Sequence, residues 1–474
     1  MIASLTLSIE DNGTPRYEQL RQQLLSAIEQ ERLKVGDKLP SSRALAQMLG
    51  VSRSVVMQTY DQLISEGLLV SQPKRGVFVA QREWLYPPVA TVAAKPTMSS
   101  LQRFDSGVDV SVFPNKAWAA SMRRAWLNPD PRLLKGEYEA GYPPLQQATC
   151  DYLYALRGLE CEPEQIILVA GNHDAVSLLQ HALSDTVQHW LLENPTYPPL
   201  RASFSAARTQ DLTITEQGVQ PLSLAQPWAA VLTPNRQYPL GVCASSATRE
   251  AWFSILSDSH NFVIEDDYDN EFVYQGHVAK PWFQAAQHRQ GVSEQIFYIG
   301  SFSKVLFRGL RLGFIVAPLS QVPRVLDSQK TLGLFASQTL QPVVTDFLVS
   351  GAFYRHLNRM KRHYRSKRDY LLSLLEQCLS PWFTWQKPTG GMHVVIYVKT
   401  PFSDGDWCRE LNQHCLKNGL RLSWLQDHYG VANAAPKGLV LGFTGPTELQ
   451  LDAWIKQLAD VCQTLASKQS VEKI

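Results

Sequence analysis

The sequence predicts a multidomain α/β protein, with a small helical unit closed by a hairpin ahead of a much larger domain of alternating strands and helices. Three observations carry this. At 474 residues the chain is too long for one ordinary core. Its first eighty residues hold three helical apolar stripes and then two short strand-like runs. From Ile166 onward, apolar runs of strand length alternate with helical patterns, and several runs end in polar clusters.

Composition narrows the class. With 45% hydrophobic and 19% charged residues the chain is globular, and it has no apolar run of membrane-spanning length. Met1 to Thr6 carries no cationic leader, and the seven scattered cysteines form no CxxC motif. The expectation is a cytoplasmic protein with reduced thiols. Residues 1–80 hold nine Lys and Arg against eight Asp and Glu, so bulk charge makes no case for nucleic acid and local placement has to.

In the first unit, Thr14-Pro15 is a helix start, and Tyr17, Leu20, Leu24 and Ile28 recur at helical spacing. A second start at Leu39 to Arg43 leads to Leu45, Ala46 and Leu49, and Gly50 ends that helix. Ser52 caps a third helix reaching to about Glu66. It has Val56, Tyr60, Leu63 and Ile64 on one face and Arg53, Ser54, Met57, Gln58 and Asp61 on the other. Leu68 to Val70 and Gly76 to Val79 then pair as a hairpin with Lys74 and Arg75 at its tip. Two helices joined by a Gly-Val turn, followed by a wing, are the parts of a winged helix-turn-helix. Arg53 and Gln58 are placed to reach base edges; Arg43, Ser52, Lys74 and Arg75 suit phosphates.

Residues 81–103, with Pro87, Pro88 and Pro96 and no periodicity, read as a semi-rigid linker. The second domain follows over 104–474, and Phe113-Pro114 before Trp118 opens a helix. Ile166 to Val169 is a strand leading to a helix at Gly171 to Asp174. Trp190 to Leu192 runs into Glu193-Asn194-Pro195-Thr196-Tyr197, and Ala229 to Leu232 into Thr233 to Gln237. Asn261 to Ile264 precedes EDDYDNE (265–271), and Ile296 to Ile299 precedes SFSKVLFRGLRLG (301–313). Such alternation predicts a mostly parallel, doubly wound sheet, whose ligands lie beyond the carboxyl ends of its strands. The polar clusters therefore converge. They supply a lysine able to form a Schiff base, an arginine for a phosphate and an acid for a pyridine nitrogen, the floor of a pyridoxal 5'-phosphate (PLP) site.

Residues 13–80 resemble the GntR-type winged helix in PRYEQLRQQLLSAI, GDKLPSSRALAQMLGVSRSVVMQTYDQLISEGLL and KRGVFVA. From about Phe104 to the C-terminus, GEYEAGYPPL, ENPTY, EDDYDNEF and YIGSFSKVLFRGLRLG resemble the fold-type I aminotransferases, with a large domain and a small one from about 345. The order of the two parts resembles the MocR-type (GabR-like) transcription regulators. The resemblance implies a homodimer that binds double-stranded operator DNA, with Lys304 holding PLP as an internal aldimine. It also implies Asp266 at the pyridine nitrogen, with Asp267 as the adjacent alternative, and Tyr268 on the phenolic oxygen. Arg311, Ser301 and Ser303 would hold the phosphate with the backbone of Asn172 and His173. Tyr197 would stack on the ring, and Tyr138 would reach the neighbouring subunit's phosphate.

The sequence departs from working aminotransferases on the substrate side. Tyr238 stands where they place an asparagine, Val440 where an arginine grips the α-carboxylate, Arg308 in place of a proline and His173 in place of a common glutamine. The expected effector is PLP itself or an amino compound forming an aldimine at Lys304; the alternative is an active aminotransferase carrying a DNA-binding head. A run of seven Lys and Arg between Tyr354 and Arg368 reads as the solvated face of a long helix, with DNA phosphate contact as the other reading.

Overall fold

The computed structural model describes residues 7–10, 13–80, 101–204, 207–257, 260–269, 271–402, 405–431 and 435–472. They form two compact units, one up to residue 99 and one from residue 100. The predicted linker lies outside the described residues up to position 100.

In the first unit α1 (Arg16–Glu29), α2 (Ser42–Leu49) and α3 (Arg53–Ser65) enclose Leu20, Leu24, Leu45, Val56, Tyr60 and Leu63. Pro15 itself occupies the cap position of α1, one residue after the Thr14 expected there. Ser41 caps α2 through its hydroxyl, and Gly50 closes it at φ 64°, a left-handed turn that a residue with a Cβ adopts only at a cost. Strands β1 (Leu69–Gln72) and β2 (Gly76–Val79) pair antiparallel with Leu69 opposite Val79.

The second unit opens with β3 (Gln102–Arg103), two residues inside the predicted linker and too short to leave a periodic signal. Helices α4 (Pro143–Arg157) and α5 (Asn172–Ala182) flank the first strand of the main sheet. That sheet comprises β4 (Ile166–Val169), β5 (His189–Asn194), β6 (Thr209–Thr215), β7 (Gly218–Val219), β8 (Trp228–Leu232), β9 (Phe262–Asp266), β10 (Ile296–Ser301) and β11 (Gly313–Val316). The spatial order is β4-β11-β10-β9-β8-β5-β6-β7. From β10 across to β6 every pairing is parallel. Strand β11 runs antiparallel to both its neighbours. Only residues 302–312 separate it from β10, and a parallel crossover needs about a dozen or more.

Successive residues of each strand enter opposite cores. Ile166, Leu168, Val263, Ile296 and Tyr298 pack on one side, and Ile167, Val169, Ile264, Phe297 and Ile299 on the other. Burial on both faces is why these strands read as continuous apolar runs. It also leaves the strand ends as the place where polar side chains can gather.

Helix α6 (Ala352–Cys378) leads into an antiparallel sheet of β12 (Phe383–Trp385), β13 (His393–Val398) and β15 (Gly438–Gly442). Strand β14 (Leu420–Arg421) pairs with β3, and α7 (Glu448–Glu472) packs along α6. The basic run on α6 is not one solvated face. Lys367 and Arg368 are buried, Lys367 bonding Asp109 at 3.0 Å and Arg368 bonding Asp369 at 2.8 Å and the Pro388 carbonyl at 2.8 Å. Among the described residues no helix is long and apolar enough to cross a membrane.

Candidate functional site

On α3 the polar face is free: Arg53, Ser54, Met57, Gln58 and Asp61 are all exposed while Val56, Tyr60 and Leu63 are buried. Ser52 stands at the cap position, but its hydroxyl bonds Ser54 Oγ at 2.8 Å rather than the backbone. Arg53 Nε donates to Ser42 Oγ at 3.2 Å, tying the start of α3 to the start of α2 beside exposed Arg43. At the hairpin tip Lys74 adopts φ 62°, and Arg75 lies 5.9 Å from the Phe78 ring centre. This unit thus presents an exposed polar helix face that begins at a helix N-terminus, together with a cationic hairpin tip.

In the second unit the strand ends converge. Asn172, opening α5 beyond β4, donates from Nδ2 to Asp266 Oδ1 at the end of β9, at 2.6 Å. The neighbouring Asp267 turns the other way. Its Oδ2 accepts from Arg157 Nε at 2.7 Å and from the Tyr298 hydroxyl at 2.5 Å, deep in the core. The two adjacent acids, left open by the sequence, are thereby distinguished: Asp267 is committed to the interior, and Asp266 faces the side of Asn172 and Lys304. Removal from water and the nearby Asp267 raise the Asp266 carboxyl to about 7, against the lowering effect of Asn172 and Lys304.

Lys304 ends a tight turn, Phe302–Lys304, at the tip of β10. Burial lowers its ammonium pKa, while Asp269 and Asp266 act to raise it. The Tyr268 hydroxyl is buried with no hydrogen-bond partner among the described residues, its ring edge-on to Tyr238 at 5.7 Å. A buried hydroxyl without a partner is costly, so this one is available to an acceptor.

Ser301 Oγ accepts from the Ser303 backbone N–H at 3.3 Å, and Ser303 Oγ bonds the Leu312 backbone. Arg311 holds φ 47°, an uncommon conformation for a side chain of its size, and directs its guanidinium toward Gly171, where a Cβ would meet it at 3.8 Å. Gly171 is the cap of α5 and offers no side chain to the first N–H groups, and Asp174 in that turn lies 3.9 Å from the Arg311 guanidinium. Asn172 is partly buried there and His173 is exposed. These groups suit a phosphate dianion.

The side away from that cradle is aromatic. Tyr238 packs against Tyr197 at 5.7 Å, His393 at 5.1 Å and His428 at 5.6 Å. Burial drives His393 down to about 4 and lowers His428, so both imidazoles are neutral at ordinary pH. Arg236, buried nearby, is paired with Asp269 at 3.0 Å. Val440 is buried within β15, opposite Val395. Glu193 holds this wall from behind, accepting from the Thr233 backbone and hydroxyl, while Thr233 Oγ1 receives the Tyr238 N–H at 3.0 Å.

Sequence reasoning missed Arg236, Asp269, His393, His428 and the supporting Arg157. Arg236 is in the Thr233 to Gln237 run, Asp269 is in the EDDYDNE run, and His393 follows Gly390-Gly391-Met392 at the head of a strand, so signals existed for these three. Tyr138, expected to serve the neighbouring subunit's phosphate, donates its hydroxyl to Asp130 at 2.6 Å, with Arg132 over its ring.

Residues 16–79 match the family of bacterial regulatory proteins, gntR family. The chain is 31% identical over 467 residues to a protein of Rhizobium meliloti described as the probable rhizopine catabolism regulatory protein MocR, covering 92% of this chain and 91% of that one. It is 30% identical over 471 residues to the HTH-type pyridoxine biosynthesis transcriptional regulator PdxR of Corynebacterium glutamicum, covering 97% and 99%. In fold, the second unit is similar to LysN, an α-aminoadipate aminotransferase from Thermus thermophilus, with a TM-score of 0.65 and 22% identity over 78% of this chain and 94% of that one.

Proposed function

The chain belongs to the MocR-type transcription regulators, a GntR-type winged helix joined to a fold-type I aminotransferase-like domain, and on that premise we propose that it is a DNA-binding regulator whose second domain holds PLP at Lys304 and reports its state. The observation that carries the reading is the buried, unpartnered Tyr268 hydroxyl beside an Asp266 already oriented by Asn172. Both groups are arranged for something that is not protein. A pyridine ring with a phenolic oxygen answers both, and the Arg311–Gly171 corner suits its phosphate.

In this reading the cofactor supplies an aldehyde for amines and a ring that draws electrons. Lys304 provides the attaching amine, Asp266 keeps the ring nitrogen protonated, and Tyr268 bonds the phenolic oxygen. The substrate side supports sensing over turnover. Neutral His393 and His428, apolar Val440 and an Arg236 committed to Asp269 leave no ready grip for an α-carboxylate. PLP itself, or an amine whose tail needs no such grip, is the effector this wall favours. Whichever it is, it must prefer one arrangement of the DNA-binding units to alter regulation.

The test is the visible absorption of full-length protein loaded with PLP and freed of excess, wild type against Lys304→Ala. A protein-bound visible band present only in the wild type is expected; identical spectra would overturn the assignment. Adding amines and a keto acid to the loaded protein then separates sensor from enzyme, because sustained amino transfer identifies an aminotransferase. Binding to DNA selected from a random pool, with and without PLP, tests the regulatory half.

A further inference from the structure

Arg308, which stands in the Lys304 turn where aminotransferases carry proline, has a use that the cofactor reading leaves unassigned. Its Nη2 meets Asp105 Oδ1 at 2.5 Å. Asp105 lies in the stretch by which the chain enters the second unit from residues 81–100.

That stretch is fastened along its length to the C-terminal part of the domain. Gln102 Oε1 accepts from Trp454 Nε1 at 2.7 Å, and β3 pairs with β14. Phe104 meets the Trp454 ring edge-on at 5.4 Å. The Asp105 carbonyl accepts from the Gly445 N–H at 3.0 Å, and the Gly107 carbonyl from Thr444 Oγ1 at 2.6 Å. Asp109 is held by Lys367 at 3.0 Å and His363 at 2.9 Å. Two glycines let the parts approach. A Cβ on Gly107 would stand 3.0 Å from the Arg308 guanidinium carbon, and one on Gly442 would overlap the Asp105 backbone.

Asp105 is thus shared. Its main chain is bonded to the C-terminal part, and its carboxylate to the turn bearing Lys304 and Arg311. Lys304 also lies within electrostatic range of both Arg308 and Asp105. A charge or phosphate arriving at that turn therefore acts on a group tied to the entering chain. A pair this exposed adds little to stability, so its loss leaves the fold standing and its use has to be sought elsewhere.

We propose that Arg308 and Asp105 are positioning residues that couple the Lys304 turn to residues 101–109, so that occupancy of the site is transmitted to the chain leading back to the winged helix. This rests on the reading that the site takes PLP. A shared bond of this kind meets the requirement that two sites bias one physical element.

The experiment is hydrogen–deuterium exchange of the full chain with and without PLP, in wild type, Arg308→Ala and the charge-swapped double variant Asp105→Arg/Arg308→Asp. In the wild type PLP slows exchange over 301–311 and over 101–109. Arg308→Ala keeps the first effect and loses the second by at least about fivefold, the low end of ordinary coupling between sites. The swapped pair regains it. Slowing over 101–109 that survives in Arg308→Ala, that is absent from the wild type, or that fails to return in the swapped pair overturns the coupling. Absence of slowing over 301–311 in the wild type overturns the PLP reading and the coupling with it.

Discussion

Asn172 opens the helix that follows β4 and Asp266 ends β9, three positions away in the sheet, yet the Asn172 amide reaches the Asp266 carboxylate at 2.6 Å. The bond orients the acid before any ligand arrives. A hydrogen bond to a charged group is worth about 1.5–3 kcal/mol, so Asn172→Ala should weaken PLP binding by about ten- to a hundredfold. Equilibrium titration of the apoprotein measures this. Unchanged affinity would show that Asp266 orients itself.

The two adjacent acids should respond differently to the same change. Asp267→Asn leaves Arg157 buried without its counter-charge and should destabilise the fold by about 3–5 kcal/mol. Asp266→Asn should leave denaturant stability nearly intact and weaken the hold on PLP. Equal stability losses in the two variants would reverse the assignment of their roles.

Tyr268→Phe should act with opposite signs on fold and ligand. Removing a buried hydroxyl that lacks a partner should stabilise the apoprotein by about 1–3 kcal/mol. On the proposed reading the same change should weaken PLP binding, because the phenolic oxygen would lose its donor. Urea unfolding and PLP titration of one preparation suffice. A destabilised apoprotein would mean that the hydroxyl has a partner after all.

Burial raises Glu193 to about 7. The folded chain therefore keeps a proton that the unfolded chain releases above about pH 4.3, the ordinary glutamate value. Fewer protons on the unfolded state make stability fall as pH rises through this window, and the dependence ends above the folded pKa. Glu193→Gln lacks that contribution. Relative to wild type it should gain on the order of 2–3 kcal/mol between about pH 4.3 and 7. A stability difference that stays flat across the window would show Glu193 ionised in the fold.

At the winged helix, Arg53→Ala should cost about 1–3 kcal/mol on the selected site and less on random DNA if the side chain reads a base. Equal losses on both would make it a phosphate contact. Neutralising Lys74 and Arg75 should reduce the slope of log affinity against log salt by about 0.9 for each phosphate that is no longer neutralised. An unchanged slope removes the hairpin tip from the DNA footprint.

What the sequence by itself determined is what local chemistry dictates. The Gly50 stop, the two faces of α3, the hairpin, and the apolar strands read at Asn261 to Ile264 and Ile296 to Ile299, which run on to Asp266 and Ser301, all follow from periodicities and turns that act within a few residues. The polar runs beyond those strands marked the site because a sheet buried on both faces leaves its strand ends as the place for such groups. Only the tertiary structure decided which of two adjacent acids faces Lys304, since that turns on Arg157, more than a hundred residues away in the chain. Tertiary structure likewise placed Lys367 and Arg368 in the interior, and committed Arg236 to Asp269. It also tied Arg308 to Asp105 and brought His393 and His428 onto Tyr238. Each of these depends on which charge or ring the fold brings within a few ångströms, and burial gives such encounters their strength. Nothing in the spacing of one segment records what another segment will place beside it.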